Sequence, residues 1–169
     1  VVTAANKQYG VPLGTAMGGG ILYNKKIYKQ LGLKVPTTWK EFMANNAKIK
    51  KAGKVAVIQS YKDTWTSQLF VLADFYNVLA TDKNWATNYT NNKAKYATTP
   101  AAAAGFAHLE EIFKGGYTNR DYQATTFPQA LAKLAAGEGA HYPMLTFAIP
   151  TIAAIAPDKI NDIGFFAQP

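Results

Sequence analysis

From Val35 to Ile58 the sequence spells out one capped helix followed by one short apolar strand, and that alternation recurs to the end of the chain. Val35-Pro36 imposes an extended approach. Thr38-Trp39-Lys40-Glu41 then forms a capping box, with Thr38 at the cap and Glu41 at the third helical position. Trp39, Phe42, Met43 and Ala47 make the apolar stripe of the predicted helix, and Gly53 closes it. Val55-Ala56-Val57-Ile58 is a buried strand feeding a polar, aromatic loop, Gln59 to Thr66.

The same grammar organises the rest. Tyr9 to Leu13 and Ile21 to Tyr23 read as extended pieces around a tight turn at Gly18-Gly19-Gly20, and Lys25 to Leu31 as a short helix stopped at Gly32. A helix follows the aromatic loop, with Leu69, Leu72, Ala73, Tyr76 and Leu79 on one stripe. Residues 81–98 are polar and turn-rich, which predicts a surface excursion. Pro100 opens the next helix in the position that proline favours, and Gly115-Gly116 ends it. Phe127 to Ala136 is a helix stopped by Gly137, His141 to Leu145 a strand, Ala148 to Ala156 a helix and Ile163 to Ala167 a last strand. Capped helices alternating with short apolar strands predict an α/β layered domain. The 169 residues suit one domain rather than two.

The net charge of +8 belongs to one segment. Residues 25–54 carry nine lysines against Glu41 alone, whereas residues 55–169 carry eight basic and nine acidic residues. Seventeen of the eighteen basic residues are Lys, while base and phosphate recognition draws on the planar fork of Arg. No nucleic-acid partner is therefore expected. The lysine run reads as a solvated helical face or as a surface attracted to anionic material.

Reactive constellations are sparse. With no cysteine, thiolate metal sites and cysteine nucleophiles are excluded. Ser60 and Ser67 sit in no nucleophile motif. His108 and His141 have no further ligand beside them at metal spacing, so neither a metal site nor a cofactor is expected. Glu110 and Glu111 are adjacent on a helix and point apart. Aromatic residues in loops are the distinctive feature: Tyr61 and Trp65 follow one buried strand, and Tyr142 and Phe147 flank the next strand-to-helix junction. Such rings stack on the C–H faces of sugars, and Asp63, Thr64, Thr66 and Thr146 are the candidate groups for hydroxyls. In open α/β sheets ligands bind beyond the carboxyl ends of strands. For Trp65 and Phe147 a core-packing role is the competing reading.

The segments Gly10-Val11-Pro12-Leu13-Gly14-Thr15, Leu22-Tyr23-Asn24-Lys25-Lys26 and Leu31-Gly32-Leu33-Lys34-Val35-Pro36-Thr37-Thr38-Trp39-Lys40-Glu41-Phe42 resemble the middle of family 1 extracellular solute-binding proteins. These are the substrate receptors of bacterial ABC sugar importers. The resemblance continues weakly through Phe127–Ile149 and Ile163–Pro169. It implies a single lobe of a type II periplasmic-binding-protein-like fold, with helices layered around a short mixed sheet. Residues 1–169 would be a central segment building most of the C-terminal lobe, with the N-terminal lobe outside it. It further implies a non-enzymatic, monomeric receptor for a small solute, a mono- or oligosaccharide, docking on a membrane permease. The expected location is the outer face of the cell membrane, lipid-anchored, or the periplasm. Residue by residue, Tyr61 and Trp65 fall in the loop that supplies aromatics to the family's cleft, and Thr15 and Met17 fall near its hinge side. Leu145-Thr146-Phe147 stands where the family commonly has Gly-Ser-Trp, so Phe147 offers a smaller face at a stacking position. Ala140-His141 likewise replaces a common Ala-Met.

Other classes stay open on sequence alone. A glycan-active enzyme or accessory module would need carboxylates across a cleft, for which Asp63 and Glu138 are the loop-located pair. The same fold could instead hold a non-sugar solute.

Overall fold

The computed structural model describes residues 2–4, 6–10 and 18–169. Strands β1 (Val2–Ala4) and β2 (Lys7–Gly10) form an antiparallel hairpin of their own. The main sheet has four strands: β3 (Gly19–Asn24), β4 (Val55–Val57), β5 (Gly139–Leu145) and β6 (Ile163–Phe166). Their order is β4-β5-β3-β6; β4 and β5 run parallel, and β3 is antiparallel to both β5 and β6. The layered α/β arrangement is as the alternation predicts, and the short mixed sheet is as the resemblance implies.

Helices cover both faces. Leu22, Ile58, Tyr142 and Met144 face a layer made by α7 (Phe127–Ala136) and α8 (Ala148–Ile155), where Leu131, Leu134 and Ile152 are buried. Ile21, Val57 and Phe166 face the other layer, α1 (Lys25–Gln30), α2 (Trp39–Lys51), α3 (Leu69–Ala73) and α6 (Pro100–Lys114), through Ile27, Phe42, Ile49, Phe70 and Ile112. Consecutive residues of β3 thus serve opposite cores, which is why this strand is apolar on both sides.

The helix ends follow local chemistry. Glu41 N–H donates to Thr38 Oγ1 at 3.2 Å and Thr38 N–H to Glu41 Oε2 at 3.2 Å, closing the expected capping box. A second box at the start of α7 joins Thr126 and Gln129, and Gly137 ends that helix in the left-handed region at φ 73°. Lys50 and Lys54 reach the terminal carbonyls of Gly115 and Gly137 at 2.7 and 2.9 Å.

Three expectations are corrected. Gly19 and Gly20 lie within β3, not in a turn. A Cβ on Gly20 would stand 2.6 Å from the Phe166 carbonyl oxygen and from the Phe165 ring, so glycine lets β6 close on β3. The helix expected from Leu69 to Leu79 breaks at Asp74 into α3 and α4 (Phe75–Thr81), leaving Leu72 and Tyr76 exposed. Asp74 is buried there, accepting from the Asn77 amide at 2.7 Å. The excursion at 81–98 contains α5 (Trp85–Thr90). Trp85 anchors it: its ring is buried against Phe75, Tyr89 and Tyr96, and its N–H donates to Thr99 Oγ1.

Candidate functional site

β4 and β5 end at the same edge of the sheet, and β3 begins there, with Gly19 opposite Leu145. Three chain segments rise from this edge: the loop after β4 with its 3-10 turn Thr64–Gln68, the Thr146-Phe147 junction before α8, and the start of α7. They bring Trp65, Phe127 and Phe147 into a closed triangle. Ring centroids are 5.3 Å apart for Trp65–Phe127, 6.1 Å for Trp65–Phe147 and 5.9 Å for Phe127–Phe147. Trp65 is 39% and Phe147 37% exposed, and Phe127 is half-buried between them. Beside the triangle's edge lies an apolar depression of about 120 Å³ lined by Gly19, Gly20, Leu69, Leu72, Ala73, Met144 and Leu145.

Two polar devices hold the triangle in place. Below Trp65, Thr66 Oγ1 donates to the Ser60 carbonyl at 2.8 Å, Ser60 Oγ donates to Thr66 Oγ1 at 3.1 Å, and Ser60 Oγ meets the Tyr142 hydroxyl at 2.6 Å. All three residues are buried, and burial pushes the Tyr142 hydroxyl pKa up, so it stays neutral. Beside Phe127, Asp63 Oδ2 accepts the Phe127 backbone N–H at 2.6 Å, tying the loop to the first turn of α7. Asn119 braces the base of the loop: its Oδ1 accepts from Gln59 N–H at 2.8 Å and its amide donates to the Gln59 carbonyl at 3.1 Å.

The sequence-derived residues thus separate into groups. Trp65, Thr146 and Phe147 stand at the edge, and Thr146 Oγ1 is buried there without a hydrogen-bond partner among the described residues. Asp63 is beside them with one oxygen committed to α7. Thr66 and Tyr142 lie underneath: at 2% and 1% exposure they support the edge and present no surface of their own. Tyr61 turns away, its ring against Phe113 and Tyr122, with burial pushing its hydroxyl pKa up to about 12. Thr15 and Met17 lie outside the described residues. Phe127 and Asn119 are the additions that the sequence did not single out.

The residues weighed for catalysis are engaged elsewhere. Asp63 follows β4 at one end of the sheet, whereas Glu138 precedes β5 at the other and pairs with Lys133 at 3.6 Å. They cannot face each other across a cleft, because the seven residues of β5 span ~20 Å between those ends. Glu111 accepts the Trp39 indole N–H at 2.7 Å, and Glu110 pairs with Lys114. His108 stacks flat on Trp39 at 3.9 Å, and burial lowers its pKa. His141, within β5, is fully buried, its Nε2 2.6 Å from the Tyr28 hydroxyl.

Comparison with known proteins agrees with this architecture. The family description "Bacterial extracellular solute-binding protein" matches residues 1–169. The chain is 27% identical over 170 residues to a multiple sugar-binding protein of Streptococcus mutans, covering 96% of this chain and 39% of that protein. A chitin oligosaccharide binding protein superposes with a TM-score of 0.80 at 27% identity, over 99% of this chain and 41% of the other. An ABC-transporter binding protein from Bifidobacterium animalis subsp. lactis, solved with mannobiose, gives 0.68 at 26% identity, over 89% and 37%. The chain therefore spans about two fifths of the length of the proteins it matches.

Proposed function

The chain belongs to the bacterial extracellular solute-binding protein family, and we propose that it forms one lobe of a receptor that captures a mono- or oligosaccharide for an ABC importer. The observation that carries the reading is the Trp65–Phe127–Phe147 triangle at the common carboxyl edge of β4 and β5. Exposed rings held by a rigid scaffold cost little ordering entropy on binding and suit the apolar faces of pyranose rings. The free oxygen of Asp63 is the hydroxyl partner at hand, and Thr146 Oγ1, buried without a hydrogen-bond partner among the described residues, joins it on turning outward. The relatives, a chitin oligosaccharide binding protein and a binding protein solved with mannobiose, favour a carbohydrate.

In this reading residues 1–169 are one domain, the C-terminal lobe of the longer receptor. A second lobe closes over the edge by hinge motion, and selectivity arises from stacking and a few hydrogen bonds. The closed receptor hands its sugar to a membrane permease on the outer side of the membrane. Binding without chemistry suits the site, because Asp63 stands at this edge while Glu138 lies at the opposite end of the sheet, paired with Lys133. The test is calorimetric titration of the two-lobed protein with a panel of mono- and oligosaccharides. Saturable heat from at least one sugar is expected, and no heat from any of them would end the carbohydrate assignment.

A further inference from the structure

We propose that the outer face of α2, with Lys34 across a groove from it, is a docking surface for a linear, phosphate-rich polyanion, distinct from the aromatic edge. The buried side of α2 is Phe42, Asn45, Asn46 and Ile49. Its solvent side is Lys40, Ala44, Ala47, Lys48 and Lys51, all exposed and confined by helical periodicity to an arc of roughly 100°. The row of lysines extends ~16 Å along the helix. Lys34, Val35, Ala44, Asn45 and Lys48 line a groove of about 530 Å³ between this face and the 32–37 loop.

Charge on this face has no internal use. Three lysines of the basic run have structural partners: Lys26 pairs with Asp162, and Lys50 and Lys54 cap the α6 and α7 carboxyl ends. Lys34, Lys40, Lys48 and Lys51 have no side-chain partner among the described residues. The single acid of the groove, Glu41, has Oε2 occupied by Thr37 N–H, Thr37 Oγ1 and Thr38 N–H at 2.8, 3.0 and 3.2 Å. Its carboxylate therefore serves the helix cap and answers none of the four ammonium groups.

The composition of the face selects the occupant. Ammonium groups are compact point charges that attract phosphate through charge alone, without the bidentate fork by which Arg recognises a base or a single phosphate. The groove has no aromatic ring on which a nucleobase would stack. Val35 is its only strongly exposed large apolar side chain, too little for insertion into a bilayer. A row of charges beside small alanines fits an extended chain bearing repeated phosphates.

The test is fluorescence anisotropy of the labelled protein with inorganic polyphosphate of defined length. Four contacts released as for a single strand predict an affinity about fifty-fold lower at ~200 mM salt than at ~50 mM. The variant Lys34→Gln/Lys40→Gln/Lys48→Gln/Lys51→Gln should lose that salt dependence and most of the binding. A control removing equal charge elsewhere, Lys83→Gln/Lys93→Gln/Lys95→Gln/Lys114→Gln, should stay within about twofold of the parent. Thermal melts verify that both variants fold, as exposed Lys-to-Gln changes permit. No binding, or equal loss in both variants, overturns the proposal. So does binding to phosphatidylglycerol vesicles without binding to polyphosphate.

Discussion

Acid destabilises this fold through His141. The imidazole is fully buried between Tyr28, Phe42 and Phe166, and burial lowers its pKa from 6.5 to about 3. The unfolded chain regains the ordinary value. Between those two pKa values the unfolded state holds a proton that the folded state refuses, so stability rises with pH. It is fully present above pH ~6.5 and is lost as pH falls towards ~3. From pH 7 to pH 5 the linkage amounts to about 2 kcal/mol, with each further pH unit costing about 1.4 kcal/mol. Above pH ~5 the exposed carboxylates remain ionised in both states, so this window isolates the histidines. Urea unfolding at pH 7 and pH 5 measures it on the parent, on His141→Gln and on His108→Gln. His141→Gln should be less stable at pH 7 and should lose most of the pH dependence, while His108→Gln, altering a half-buried ring, should retain it. An unchanged pH slope in His141→Gln would refute the reasoning.

Three further substitutions probe the frame of the site. Gly20→Ala drives a Cβ against the Phe166 carbonyl and the Phe165 ring; a loss of roughly 1–3 kcal/mol in denaturant unfolding is expected. Asp63→Ala leaves the Phe127 N–H without its acceptor; the cost is about 1–3 kcal/mol, and a change in Trp65 fluorescence would report the loosened triangle. Thr126→Ala removes the α7 cap and should lower stability by ~1 kcal/mol in thermal unfolding.

What the sequence disclosed and what it hid divide along the range of the interactions. The boundaries of α2 and α7 were legible because caps and stops are written in adjacent residues: Thr38 with Glu41, and Gly137 after Ala136. Trp65 and Phe147 were legible as aromatics placed in loops. Phe127 was not, because it reads as the first apolar residue of a helix; its place beside Trp65 depends on contacts across more than sixty positions, among them the Asp63 bond to its N–H. Asn119 acts on Gln59, sixty positions away, and nothing local marks that contact. Tyr142 flanks the junction in sequence but lies beneath it, because strand alternation shows which residues share a face and not whether a helix covers it. Here Leu131 and Ile152 of α7 and α8 fill that face. In α5 a polar run conceals Trp85, whose burial depends on Phe75 and Tyr96.

The proposed receptor role rests on Trp65. Calorimetry of the two-lobed protein carrying Trp65→Ala, with the sugar that the parent binds best, tests it most directly. The expected result is at least about tenfold weaker binding, ~1.4 kcal/mol, with the melting temperature nearly unchanged because the ring is 39% exposed. Trp65→Phe should restore part of the loss by returning a stacking face. Undiminished sugar affinity in Trp65→Ala would contradict the account.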